Sequence, residues 1–216
     1  MRALDAEGWV LAGGRSLRMG RDKASVEIAG VPLLDRMLRK LKVLGLRARV
    51  AGMRDPLEWM DIEVMSDLHP DCGPLSGVET ALRRSEMPLV LVLGVDLPLI
   101  ETDFLMWMLE RAQVSGAVAT IPRLLDEPQP LCAVYRREWL PHVVRALESG
   151  DYKVMAAVEH AIAEGGVSRV DMFDVERVIA SGAWDPALPV HCQFINCNRP
   201  ADATTVATLL SKAPML

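Results

Sequence analysis

The spacing of apolar residues changes repeatedly along the chain, and each change marks a predicted element. Trp9–Ala12 is a short apolar run ended by glycines, the pattern of a first strand. In Pro32–Leu44 the apolar positions Leu33, Leu34, Met37, Leu38, Leu41 and Leu44 recur on a helical period, while Arg36, Arg39, Lys40 and Lys42 fill the other face. Extended segments are predicted at Arg49–Gly52 and Ile62–Met65, followed by a helix over Val78–Arg84 after the breaker-rich Asp71-Cys72-Gly73-Pro74. LVLVLG at Leu89–Gly94 is continuously apolar, as expected of a strand buried on both faces of a sheet. Beyond it the pattern predicts helices at Thr102–Gln113, Glu138–Leu147, Lys153–Ala163 and Ala201–Leu210. Strands are predicted at Ala117–Ile121, near Pro130–Tyr135, at Val167–Phe173 and at His191–Ile195, with loops at Leu124–Gln129 and Ser181–Pro189. Strands alternating with helices imply an α/β fold around a mostly parallel central sheet. In such folds ligands sit at the carboxyl ends of the strands, where the glycine-rich segment after Ala12 and the Gly94–Pro98 turn both fall.

Composition narrows the function classes. With 216 residues, half of them hydrophobic, the chain has material for one large domain over 1–216, and no repeat or low-complexity linker divides it. The net charge of −5 argues against general nucleic-acid binding, for which a basic face is the footprint. The longest uncharged apolar run, Met87–Val95, contains a proline and a glycine and is far too short to span a membrane. The first residues carry acids and no signal-type apolar stretch, so a cytoplasmic location is expected. Cys72, Cys132, Cys192 and Cys197 are scattered without a CxxC pair, which suits reduced structural thiols rather than a zinc site or disulfide framework.

Against this acidic background, LAGGRSLRMGRDKA at 11–24 is a local cationic exception. Gly13, Gly14 and Gly20 permit tight turning and close backbone approach to a ligand. Successive N–H groups in such a turn form an anion-binding concavity. Arg18 and Lys23 add formal charge, one as a planar fork and the other as a point charge. Phosphate is the natural guest, although the spacing matches neither GxxxxGK[ST] nor GxGxxG. By composition alone a basic surface loop remains the alternative, with Arg15 and Arg21 solvated and Asp22 a local partner of Lys23.

The segment LAGGRSLRMGRDK resembles the opening signature of the molybdenum cofactor guanylyltransferase family, loosely LAGGxSxRMGxDK. Further segments resemble that family's in the same order: Asp67, Gly73-Pro74-Leu75-Ser76-Gly77, Gly94-Val95-Asp96-Leu97-Pro98, Gln129-Pro130-Leu131-Cys132 and Phe194-Ile195-Asn196-Cys197-Asn198. The resemblance runs from about Trp9 to Leu210. It implies a Rossmann-like three-layer α/β/α nucleotidyltransferase that moves GMP from GTP onto the terminal phosphate of a molybdopterin cofactor. By that likeness the Leu11, Ala12, Gly13 and Gly14 segment meets the guanine through its backbone, Lys23 and Arg18 hold phosphates, and Asp67 contacts the nucleotide. Asp96 binds Mg²⁺, Asn196 and Asn198 line the pterin side, and Gly13, where related cytidylyltransferases read LAAG, leaves room for a purine. The likeness also suggests transient contact with other cofactor-biosynthesis proteins or acceptor enzymes.

The residues suit that chemistry on independent grounds. Nucleotidyl transfer relies on positioning and charge neutralisation. A phosphate nucleophile is already ionised near neutral pH, and His69, His142, His160 and His191 stand in no motif. Magnesium needs only one or two carboxylates, water and phosphate oxygens completing its octahedron. Each residue also has a plainer reading: Asp96 as a turn or cap before Pro98, Asp67 as a loop acid, Asn196 and Asn198 as strand-end caps before Pro200. Lys153 stands equally as a basic site residue or a solvated lysine. The chain departs from the family where an asparagine often follows the second strand, reading Val50-Ala51-Gly52-Met53, and where NxNTP becomes Asn196-Cys197-Asn198-Arg199-Pro200. A CTP-dependent or other related nucleotidyltransferase, and a nucleotide-binding regulator without turnover, are the competing readings.

Overall fold

The computed structural model describes residues 5–13, 23–53, 61–165 and 169–212. At its centre lies β1 (Ala6–Leu11), paired in parallel with β4 (Arg47–Ala51) on one side and β6 (Leu89–Gly94) on the other. Outward from β4 runs β5 (Val64–Met65); outward from β6 come antiparallel β9 (Cys132–Arg136), then β7 (Ala119–Leu124) and β10 (Val170–Asp174). A separate two-stranded ribbon, β2 (Glu27–Ile28) with β3 (Val31–Pro32), follows the glycine segment.

Every residue of β1 and β6 is buried, because helices cover both sheet faces. Since alternate side chains point to opposite faces, Val10, Leu91 and Leu93 join one core and Trp9, Leu11, Val90 and Val92 the other. The first core is closed by α1 (Leu33–Val43), α3 (Thr102–Ser115), α6 (Val175–Ala180) and α8 (Pro200–Lys212). The second is closed by α2 (Gly73–Arg84), α4 (Leu140–Glu148) and α5 (Val154–Gly165). This is the three-layer α/β/α arrangement. The chain leaves β1 through α1 to reach β4, then returns through α2 to β6 on the far side of β1, so a crevice is expected at the carboxyl end of β1. Among the described residues no helix is long and apolar enough to cross a membrane.

Several expected elements differ in detail. The strand expected at His191–Ile195 is instead one helical turn, α7 (Val190–Gln193). Pro189 presets the entry backbone. The Gln193 side chain then holds the turn by accepting from the Glu101 N–H at 3.1 Å and donating to the Leu188 carbonyl at 3.4 Å. α2 begins at Gly73 rather than Val78, because a proline in the first turn loses no hydrogen bond. The Leu124–Gln129 loop is a hairpin with β8 (Glu127–Pro128), whose turn residues Leu125 and Asp126 both take positive φ. That conformation suits a tight hairpin, but no Asn-Gly or Asp-Gly pair announced it. α6 was not expected.

Helix α1 lies close on β1 because Gly8 has no side chain: a Cβ there would stand 2.4 Å from Leu41 Cδ2. Leu41 is fully buried and has nowhere to withdraw. Gly8→Ala should therefore destabilise the protein by about 1–3 kcal/mol through overpacking. Denaturant midpoints measure this, and Leu41→Val in the Gly8→Ala background should recover part of the loss; an unchanged midpoint in Gly8→Ala would contradict the packing argument.

Candidate active site

Strand register brings the ends of β1, β4, β5 and β6 level. Leu11 is opposite Ala51 and Gly94, and Ala51 is opposite Met65. Backbone bonds continue past these ends: Ala12 N–H donates to the Ala51 carbonyl at 2.9 Å and Val95 N–H to the Leu11 carbonyl at 3.2 Å. The Leu11–Ala12 backbone therefore ties three strand ends together, and Gly13 is the first exposed residue beyond them.

The turn after β6 aims Asp96 along this edge. Lys23 opens a short 3₁₀ turn, Lys23–Ser25, anchored by the fully buried Ala24. Its ammonium donates to Asp96 Oδ2 at 2.7 Å and to Asn198 Oδ1 at 2.5 Å. Residues far apart in the sequence thus meet at one cation. The Asn198 segment is tied to the same turn by its backbone, since Cys197 N–H donates to the Asp96 carbonyl at 2.9 Å. Gly94 makes room for the Asp96 carboxylate: a Cβ at Gly94 would lie 2.6 Å from Asp96 Oδ1. Across the turn, the Leu131 carbonyl accepts from Gly94 N–H at 2.6 Å, so the Gln-Pro-Leu segment buttresses the strand end. Burial pushes the Cys197 thiol above its ordinary value and that of Cys132 up to about 12, so both stay protonated and non-nucleophilic.

Beside this junction lies a second feature. Gly13 and Gly52 approach so closely that a Cβ on Gly52 would stand 2.8 Å from Gly13 Cα, and Gly52 itself has φ +84°. Asp67 faces the contact: a Cβ on Gly13 would come 3.4 Å from its Oδ2, and one on Gly52 or Gly77 would come 3.2 or 3.5 Å from its Oδ1. Asp67 Oδ1 is buried and accepts no hydrogen bond from the described residues. Burial pushes the carboxyl up to about 6. A desolvated acceptor without a donor costs stability unless a ligand supplies one.

The expected site residues thus fall into groups. Lys23, Asp96 and Asn198 are in direct contact; Leu11, Ala12, Gly13 and Asp67 gather at the neighbouring strand ends. Asn196 is exposed beside Asn198, its carbonyl accepting from the Asn198 N–H at 3.1 Å. Gly14 and Arg18, with Arg15, Arg21 and Asp22, lie outside the described residues. A methyl at Gly13 would meet the Gly52 carbonyl at 3.0 Å, so the missing methyl there also lets two loops lie close together. Met53 points into the core at 2% exposure, so the position near the usual asparagine offers no polar group. Arg199 and Lys153 are exposed. Two contributors went unrecognised in the sequence. Gly52 is the left-handed residue that permits the Gly13 contact. Asp202 Oδ2 accepts from both the Asn198 and Arg199 N–H groups, at 2.9 and 2.7 Å; the spacing Arg199-Pro200-Ala201-Asp202, an acid in a helix's first turn, was the available signal.

Comparison with known proteins identifies the family. A family model described as the MobA-like NTP transferase domain matches residues 8–164. A probable molybdenum cofactor guanylyltransferase from Natronomonas pharaonis is 33% identical over 73% of this chain and 83% of its own. The molybdenum cofactor guanylyltransferase of Xanthomonas euvesicatoria is 29% identical over 89% of both chains. In fold, the chain is similar to molybdopterin-guanine dinucleotide biosynthesis protein A from Archaeoglobus fulgidus, with TM-score 0.78 and 24% identity over 95% of this chain and 99% of that one. It is also similar to the 2-C-methyl-D-erythritol 4-phosphate cytidylyltransferase of Thermus thermophilus, with TM-score 0.66 and 16% identity over 94% and 98%. With a family model covering well over half its length, this chain belongs to the MobA-like NTP transferases, a family of nucleotidyltransferases.

Proposed function

We propose that the chain transfers GMP from GTP to the terminal phosphate of a molybdopterin cofactor, releasing pyrophosphate, in the cytoplasm. The observation that carries this reading is the meeting of Lys23, Asp96 and Asn198 beside the glycine-lined Asp67 carboxylate. The names of the relatives supply the substrate class. A phosphate oxygen of the acceptor attacks the α-phosphorus of GTP. One P–O bond forms, the bond to the bridging oxygen breaks, and pyrophosphate leaves with the electron pair. No proton needs to be removed from an ionised phosphate, and among the described residues no histidine is hydrogen-bonded to Lys23, Asp96 or Asn198.

Lys23 has three N–H donors. Two are engaged by Asp96 and Asn198, and among the described residues the third has no acceptor, which suits a triphosphate oxygen. Asn198, its amide oxygen taken by Lys23, has two N–H donors with no acceptor among the described residues, which suits the acceptor substrate. Asp67 meets the base: guanine presents adjacent N1–H and N2–H donors that match a carboxylate with an unused oxygen.

The donor set suits Mg²⁺. Asp96 is a carboxylate at a strand end, its Oδ1 seated against Gly94, where a Cβ would lie 2.6 Å away. Among the described residues no group of three or more acidic, His or Cys side chains forms a full protein cage. One carboxylate with phosphate oxygens and water is what magnesium accepts. When bound, the ion would neutralise charge on the α-phosphate and leaving group.

Asp96→Ala should leave the fold intact and lower turnover on the order of 10²-fold or more, the scale of losing electrostatic stabilisation at a reacting centre. Pyrophosphate release at saturating Mg²⁺ measures it; near-normal turnover in the folded variant would remove Asp96 from the mechanism. Asp67 gives a pH-dependent test. Donors on the base stabilise its ionised form, so the protonated carboxyl binds GTP more weakly, and affinity should rise with pH through about 6 and level off above it. Asp67→Asn should lose about 10-fold or more in GTP affinity, the scale of a hydrogen bond to a charged group. It should also lose that part of the pH dependence. Calorimetric titrations of both proteins share the titration of the nucleotide phosphates, so their difference isolates Asp67. Parallel pH profiles would remove it from base recognition.

A further inference from the structure

Asp202 stands in the first turn of α8, whose first residue is Pro200. An acid there that reaches back to the N–H just before the helix is half of a capping box. Its bond to Arg199 N–H is therefore ordinary helix capping. The bond to Asn198 N–H has no such role, because Asn198 lies outside the helix. One carboxylate oxygen, Oδ2, takes both donors and fixes the backbone from which the exposed Asn198 side chain projects. That side chain is then held by Lys23, which can only donate, so Oδ1 faces the ammonium and the Nδ2 donors face away. A continuous chain runs from Asp202 through Asn198 and Lys23 to Asp96.

We propose that Asp202 is a positioning residue for the acceptor. It holds Asn198 where Lys23 can lock the amide, so the acceptor-facing donors are oriented before the acceptor arrives. The assignment rests on the reading that Asn198 meets the acceptor. Asp202 touches neither substrate, and its effect should fall on acceptor binding and alignment rather than on the nucleotide.

The test is a double-mutant cycle with the full-length protein. Asp202→Ala should raise the KM for molybdopterin on the order of 10-fold and lower kcat several-fold, while the Kd for GTP measured without acceptor stays within about twofold. Asp202→Asn, which keeps an acceptor oxygen, should restore most of the loss. In the Asn198→Ala background, Asp202→Ala should change the acceptor KM no further. Should Asp202→Ala fail to fold, Asp202→Ser, whose shorter hydroxyl reaches one N–H at most, should show an intermediate loss with the same masking. Independently of turnover, the Asn198 side-chain amide resonances in ¹⁵N-labelled protein should move to the position of a free asparagine in Asp202→Ala, move part of that way in Asp202→Ser and stay in place in Asp202→Asn. An unchanged acceptor KM in a folded variant, an equal further loss without Asn198, or unmoved Asn198 resonances would overturn the proposal. Absence of GMP transfer by the wild type would instead overturn the proposed function, and the resonance measurement would still decide the role of Asp202.

Discussion

The Lys23 ammonium, lodged between Asp96 and Asn198, is the interaction on which the site depends. Lys23 follows the glycine segment, Asp96 ends the central strand pair, and Asn198 precedes the last helix. Each comes from a segment with its own packing, and they meet because the sheet sets a common edge. With Leu11 opposite Gly94, the end of β1 and the turn after β6 emerge side by side. The bond from Cys197 N–H to the Asp96 carbonyl brings the third segment to the same turn. Among the described residues two of the three ammonium donors are engaged, by Asp96 Oδ2 and Asn198 Oδ1.

The second constraint is steric. Gly13 and Gly52 close two strand-end loops against each other, and a side chain on either would meet backbone, which cannot swing away. Their contact encloses one side of the Asp67 carboxylate, and the resulting desolvation lifts its pKa. The two halves of the strand-end edge are thus adjacent but physically different. One is a half-buried acid whose Oδ1 is buried without a donor among the described residues, the other a partly exposed cation among acceptors.

The framework of the fold was readable because its signals are local. The continuous apolar run Leu89–Gly94 and the helical period of Leu33–Leu44 each carry their own evidence. Elements decided by distant contacts were not readable in this way. The turn Val190–Gln193 is held by a Gln193 amide bridging to Glu101 and Leu188, distant contacts that its local sequence does not announce. The same distinction governs the site. Lys23 and Asp96 stood out as charges at predicted strand ends, and the family likeness supplied Asn198. The meeting of Gly52 with Gly13, the open carboxylate of Asp67 and the grip of Asp202 on Asn198 are tertiary facts with only faint marks in the sequence. The glycine-segment residues Gly14 and Arg18 lie outside the described residues.

Acceptor-dependent guanylyl transfer is the activity proposed for this edge. Its most direct measurement is Mg²⁺-dependent pyrophosphate release by the wild-type protein, with GTP and with CTP, each with and without molybdopterin. Release should require molybdopterin and favour GTP in kcat/KM. A preference for CTP, or equal release without any acceptor, would contradict it.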